Sequence, residues 1–167
     1  MSAVLENLSA TAAPVAVTSI ATQSVLDEAR AAAHAAGLPY AGGVTPQQAW
    51  ALLQAGEATL VDVRSTEERK FVGHIPSTAH VAWATGTSLT RNPRFARELE
   101  SKVRKDAVVL LLCRSGKRSA LAAEVAAKAG FTQVFNVLEG FEGELDADHH
   151  RGGSDGWRFH QLPWVQD

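Results

Sequence analysis

Hydrophobic and polar positions along this chain follow two periods. Thr59-Leu60-Val61-Asp62-Val63, Ala107 to Leu112 and Val134 to Val137 are short apolar runs of strand length. Continuous Val and Leu without polar alternation fits strands covered on both faces. Around them the spacing lengthens to helical periods. Leu26 to Ala36 is Ala-rich, with Asp27 and Glu28 near its start and Gly37-Leu38-Pro39 at its end, which predicts a helix with a stop signal. Thr45-Pro46 reads as a cap and a first-turn proline for a helix that reaches Leu53 before Gly56. Thr66 to Phe71 and Pro93 to Val103 predict further helices, and Ser119 to Ala129 an Ala-rich one closed by Gly130. His80-Val81-Ala82 has the length of a short strand, and Asp146 to Asp167, rich in Gly, His and Trp, reads mostly as loop.

Strands that alternate with helices predict an α/β fold with a mostly parallel central sheet, flanked by helices on both faces. Residues 1 to 23 are low in charge and weakly periodic, so they read as a flexible arm. Ala41-Gly42-Gly43 reads as a linker. The expected organisation is an N-terminal arm with one helix over residues 1–43 and a compact domain over 44–167. Met1 to Ser24 lacks a basic start and carries Glu6, which makes a poor signal peptide and leaves a cytoplasmic location as the default. No window is long and apolar enough to span a bilayer.

Composition changes this picture little until it reaches cysteine. Hydrophobic residues make up 46% and charged residues 20%, ordinary for a globular protein, and a formal charge of -2 gives no bulk argument for nucleic acid or membrane partners. There is one cysteine, Cys113, so an internal disulfide, a paired-cysteine redox centre and a multi-cysteine zinc site are all excluded. Ligands of parallel α/β sheets bind at the carboxyl ends of the strands. The run Ala107 to Leu112 ends directly at this cysteine.

The segment Cys113-Arg114-Ser115-Gly116-Lys117-Arg118-Ser119 therefore carries the candidate chemistry. The sulfur faces the start of a helix, where free N–H groups favour negative charge. Gly116 lets the loop curl so that its amides point inward. Arg114, Lys117 and Arg118 add cations. Such surroundings lower a cysteine pKa from ~8.5 into the range ~3.5–7.5 and make the thiolate available as a nucleophile. A buried, inert cysteine is the alternative reading for an isolated thiol.

Protein tyrosine phosphatases resemble this strand, loop and helix, but their signature has one more residue between Cys and Arg. Here four residues, Arg114 to Lys117, lie between Cys113 and Arg118. The smaller ring suits a single sulfur atom better than a tetrahedral phosphate. From Val44 onward the sequence closely resembles the rhodanese family. The resemblance rests on Leu60-Val61-Asp62-Val63-Arg64, Gly73-His74-Ile75-Pro76, the Cys113 loop, Val137-Leu138-Glu139-Gly140-Phe141, Gly156-Trp157 and Leu162-Pro163-Trp164, in that order. One departure is Ser77-Thr78-Ala79, where the family commonly has Gly-Ala after His-Ile-Pro.

The resemblance implies a rhodanese-like fold and a sulfurtransferase with no cofactor. Sulfane sulfur would pass from a small anionic donor such as thiosulfate, through a Cys113 persulfide, to a thiol or cyanide acceptor by a ping-pong mechanism. Cys113 is then the catalytic residue. Arg114, Ser115, Gly116, Lys117, Arg118 and Ser119 would bind substrate, the side-chain cations holding the donor's oxygens. A sulfur-delivery or regulatory binding module, and a cysteine phosphatase or arsenate-reductase-like enzyme, are the alternatives.

Other residues carry two readings each. Asp62 and Arg64 either reach the pocket or tie their strand to adjacent loops. His74 is either a general base or a hydrogen-bonded turn residue. Asp146, Asp148, His149 and His150 look like metal ligands but lack helical spacing and sit among glycines, which favours a solvated loop and no metal. Trp83, Trp157 and Trp164 either wall the pocket or pack the core, and Phe141 is placed at a pocket rim.

Overall fold

The computed structural model of the protein describes residues 13–167. Five parallel strands form the central sheet in the order β1-β7-β6-β2-β3, with β1 at Gly42–Val44, β2 at Thr59–Asp62, β3 at Ala79–His80, β6 at Val109–Leu112 and β7 at Val134–Val137. A separate antiparallel ribbon pairs β4, Ala84–Thr85, with β5, Thr90–Arg91. Helices α1 (Ala13–Ala36), α2 (Pro46–Gln54), α3 (Thr66–Phe71), α4 (Phe95–Lys102) and α5 (Lys117–Lys128) complete the elements. The predicted α/β class, with helices on both sheet faces, is what the chain adopts.

Strand periodicity divides the core in two. Val109, Leu111 and Cys113 pack with Phe95, Leu99, Ala122, Ala123 and Ala126 of α4 and α5. Leu110 and Leu112 point the other way, with Phe135 and Val137, onto Leu26 and Ala29 of α1 and Ala49 and Leu52 of α2. Successive side chains alternate across a sheet, so one strand seals both layers. The same alternation sets Cys113 in phase with Leu111, beneath α5.

Three local differences from the sequence reading have physical reasons. Strand β1 occupies the stretch read as a linker: a Cβ on Gly42 would lie 2.5 Å from the carbonyl oxygen of Ala29, so glycine lets α1 rest directly on the sheet. Leu26, Ala29 and Ala33 are buried, and Thr22 hydrogen-bonds Glu57, so α1 is part of the packed body and begins well before Leu26. The reading of residues 1–12 as an arm lies outside the described residues. Strand β3 covers Ala79–His80 rather than 80–82. The loop after Gly143 is tied down as well, by a bridge of Val165 to His74 and by the fully buried Trp157. Among the described residues, no helix is long and apolar enough to cross a membrane.

Candidate active site

Strand β6 ends at Leu112 and delivers Cys113 to the amino end of α5. The sulfur accepts a hydrogen bond from the Gly116 N–H at 3.1 Å and lies 3.1 Å from Ser119 Oγ, within hydrogen-bond reach. Gly116, the N-cap of α5, has φ +94°, the turn that aims its N–H back at the sulfur. The loop is braced from outside: Phe141 N–H donates to Cys113 O at 2.8 Å, and Glu142 and Gly143 N–H donate to Arg114 O at 2.9 and 3.2 Å. Cys113 is 1% exposed, so peptide dipoles and side chains rather than water surround its sulfur.

Arg118 does not stand free to take a donor's oxygens, the role expected of it. Its guanidinium forks onto Glu68 of α3, with Nη1 to Oε2 at 2.8 Å and Nη2 to Oε1 at 2.6 Å. Glu68 also accepts from Ser65 N and Oγ, both at 3.0 Å, while Ser65 Oγ caps the helix from Glu68 N. One carboxylate thus closes the capping box of α3 and anchors the active loop. Burial works against its charge, but the Arg118 and Ser65 bonds outweigh burial and bring its pKa from 4.5 to about 2. Sequence reasoning missed this residue, although Ser65-Thr66-Glu67-Glu68 carries the capping-box pattern.

The pair makes the loop acid-sensitive. The folded pKa lies below the unfolded one, so its contribution to stability is complete above pH 4.5 and is lost as pH falls toward 2. Urea midpoints measured from about pH 6 down to about pH 2 should therefore show wild type ahead of Glu68→Gln near neutrality and the gap closing through this window. A constant gap would contradict the linkage.

The remaining loop cations are less engaged. Arg114 is half-buried, and its buried Nε has no partner among the described residues. Lys117 has a 78% exposed side chain and reaches Glu144 only at 3.4 Å. Ser115 is half-buried, and Gly116 and Ser119 are buried.

Asp62 and Arg64 form a fully buried pair at 2.8 Å. Arg69 joins Asp62 at 3.1 Å, Arg64 Nη2 donates to Gly73 O at 2.9 Å, and the Arg64 guanidinium lies 4.2 Å from the Phe141 ring centroid. These contacts tie β2 to its neighbouring loops, the structural of the two readings. His74 exchanges backbone hydrogen bonds with Val165, both at 2.8 Å, and its buried Nδ1 has no partner among the described residues. Phe141 is fully buried beneath Arg64 and edge-on to Trp164, so it belongs to the core and not to a pocket rim. Trp83 and Trp157 are likewise core residues, and Trp164 is 38% exposed.

In the 146–150 loop, Asp146 Oδ1 accepts from the N–H groups of His150 and Asp148 at 2.8 and 2.9 Å. These bonds, His150 first, lower its pKa. Among the described residues no group of three or more His, Cys, Asp or Glu is placed to hold a metal ion. A second residue absent from the sequence reading is Asn136 of β7. It is the polar member of a buried Val-Phe-Asn-Val strand, it pairs in register with Leu111, and it touches both residues that contact the sulfur. Its Nδ2 donates to Gly116 O at 3.0 Å, and its Oδ1 lies 2.5 Å from Ser119 Oγ.

Known proteins share this fold and much of the sequence that builds it. The crystal structure of Rv0390 from M. tuberculosis superposes with a TM-score of 0.69 at 47% identity, covering 77% of this chain and 99% of that one. An uncharacterized protein of Rickettsia prowazekii is 36% identical over 115 residues, 68% of this chain and 87% of its own length. The thiosulfate sulfurtransferase GlpE of Actinobacillus succinogenes is 29% identical over 100 residues, 60% of this chain and 80% of its own. Residues 45–145, carrying the Cys113 loop, its Glu68 anchor and the brace at Phe141, match the Rhodanese-like domain, and the chain belongs to that family.

Proposed function

We propose that the protein is a sulfurtransferase that carries one sulfane sulfur on Cys113. The observation that carries this reading is a single cysteine sulfur at a helix amino end, within 3.1 Å of the Gly116 N–H and the Ser119 hydroxyl, in a loop with only four residues between Cys113 and Arg118. The Cys113 thiolate attacks the outer sulfur of a donor such as thiosulfate. The donor's S–S bond breaks, sulfite leaves with the electron pair, and Cys113 becomes a persulfide. An acceptor thiolate or cyanide then attacks the terminal sulfur, and the Cys113 thiolate departs, which is ping-pong chemistry. Similarity to a relative named thiosulfate sulfurtransferase supports the donor class.

Roles within the loop divide by how each side chain is engaged. Arg114 and Lys117, loosely held, receive the donor's anionic oxygens. Arg118, clamped by Glu68, holds the helix start in place and supplies fixed positive potential. The peptide groups from Arg114 to Ser119 surround the transferred sulfur. The chain has one cysteine, so no internal thiol removes the persulfide as a disulfide, and the acceptor comes from outside.

Intact mass spectrometry after incubation with thiosulfate tests the proposal. A gain of ~32 Da, one sulfur, is expected, and cyanide should remove it and yield thiocyanate. An unchanged mass, or Cys113-dependent hydrolysis of an aryl phosphate in its place, rejects the reading.

A further inference from the structure

The two groups in contact with the Cys113 sulfur, Gly116 and Ser119, are both held by Asn136, and the number of protons available gives that fact a consequence. Gly116 O only accepts, so the Asn136 atom 3.0 Å from it is Nδ2, and Oδ1 faces Ser119. Asn136 Oδ1 has no proton to give. The contact of 2.5 Å with Ser119 Oγ therefore uses the hydroxyl's single proton. That proton cannot also serve the sulfur 3.1 Å away. With Ser119 donating to Asn136, the remaining way to satisfy the sulfur contact is a thiol S–H donating to Ser119 Oγ. Cys113, Ser119, Asn136 and Gly116 then form a closed circuit in which every donor points the same way round, an arrangement whose bonds reinforce one another.

We propose that Asn136 is a positioning residue that keeps the resting Cys113 sulfur as a thiol by claiming the Ser119 proton. Ionisation of the thiol, or arrival of the transferred sulfur, turns the Ser119 hydroxyl toward the sulfur and leaves Asn136 Oδ1, on a residue 4% exposed, without its donor. The circuit thus opposes the helix end and the loop cations, which favour the thiolate. The inference rests on Cys113 as the reacting sulfur, but it is read from ionisation alone.

The charged groups around the sulfur are the same in every member of an Asn136→Leu and Ser119→Ala double-mutant cycle. Arg118 on α5 interacts electrostatically with Cys113, Glu68 and Asp62. Arg114 and Lys117 belong to the loop, and Arg64 and Arg69 are paired with Asp62 at the end of β2. Differences between variants therefore report the circuit.

The test is the pH midpoint of iodoacetamide alkylation, followed by intact mass, in a double-mutant cycle. Asn136→Leu removes the competing acceptor, and Ser119→Ala removes the proton that is competed for. Asn136→Leu should move the midpoint downward by about one pH unit more with Ser119 present than in the Ser119→Ala background. Any loosening of Gly116 is common to both arms and cancels. Asn136→Asp, which both attracts the Ser119 proton and adds charge, should move the midpoint upward, whereas a role in packing alone would shift the Leu and Asp variants the same way. Should Asn136→Asp fail to fold, the cycle decides. A coupling below about 0.2 pH unit, or one of opposite sign, overturns the proposal. A protein that shows the coupling yet never gains sulfur mass keeps the circuit and loses the transfer reaction.

Discussion

Cys113→Ser should abolish sulfur loading while leaving the fold in place. Serine is close to the size and polarity of the position, and its hydroxyl can accept from the Gly116 N–H and donate to Ser119 Oγ as the thiol does. What it loses is the nucleophile. A hydroxyl remains protonated where a thiol ionises, and an oxygen forms no persulfide. No second cysteine stands elsewhere in the chain to substitute for it. The expected fall in loading rate with thiosulfate is at least ~1000-fold, about 4 kcal/mol of activation free energy. Intact mass gives the loading, and circular dichroism melting gives the stability, with a midpoint expected within about 3 °C of wild type. Loading that survives the substitution would place the sulfur on a non-cysteine nucleophile or in non-covalent binding, and either result removes the mechanism.

Much of the site was legible because the sequence signals that carry it are local. A run of Val and Leu ending in cysteine, followed by glycine and an Ala-rich helix, fixes a strand tip facing a helix start. The structure adds only the phase, Cys113 with Leu111 and under α5. Signals that depend on distant partners were not legible. Arg118 reads as a free cation until α3, fifty residues earlier in the chain, brings Glu68 to it. Asn136 gives no signal of its own within the apolar run Val134 to Val137 until α5 crosses above it and supplies Ser119. Gly42-Gly43 reads as a linker because glycine is the usual loop punctuation; its use as a seat for a helix backbone shows only when α1 is in place. Phe141 follows a strand at the catalytic end, yet the buried Arg64 guanidinium beneath the loop takes its ring inward. In each case the sequence shows the residue type and the fold decides its neighbour.

Gly140→Ala should be strongly destabilising, because the added methyl meets the active loop itself. Gly140 has φ +68°, and a Cβ there would lie 2.5 Å from the carbonyl carbon and oxygen of Arg114 and 2.6 Å from the carbonyl oxygen of Cys113. These are backbone atoms of the active loop, already fixed by hydrogen bonds from Phe141, Glu142 and Gly143, so no flexible side chain can swing aside. Relief requires the loop to lift from its brace. Gly37→Ala supplies the comparison, because Gly37 has nearly the same φ, +67°, and nothing within 4 Å of its Cβ position. That variant bears only the left-handed backbone cost, about 1 kcal/mol, or roughly 2–4 °C in melting temperature for a domain of this size. Gly140→Ala adds the overlap and should lose about 3 kcal/mol or more, roughly 6–12 °C. Because the atoms displaced belong to Cys113 and Arg114, its sulfur loading should also slow at temperatures where it remains folded, while Gly37→Ala loads like wild type. Equal melting temperatures for the two variants would mean that the turn at Gly140 yields without moving the loop, and that the brace does not hold the sulfur where the chemistry needs it.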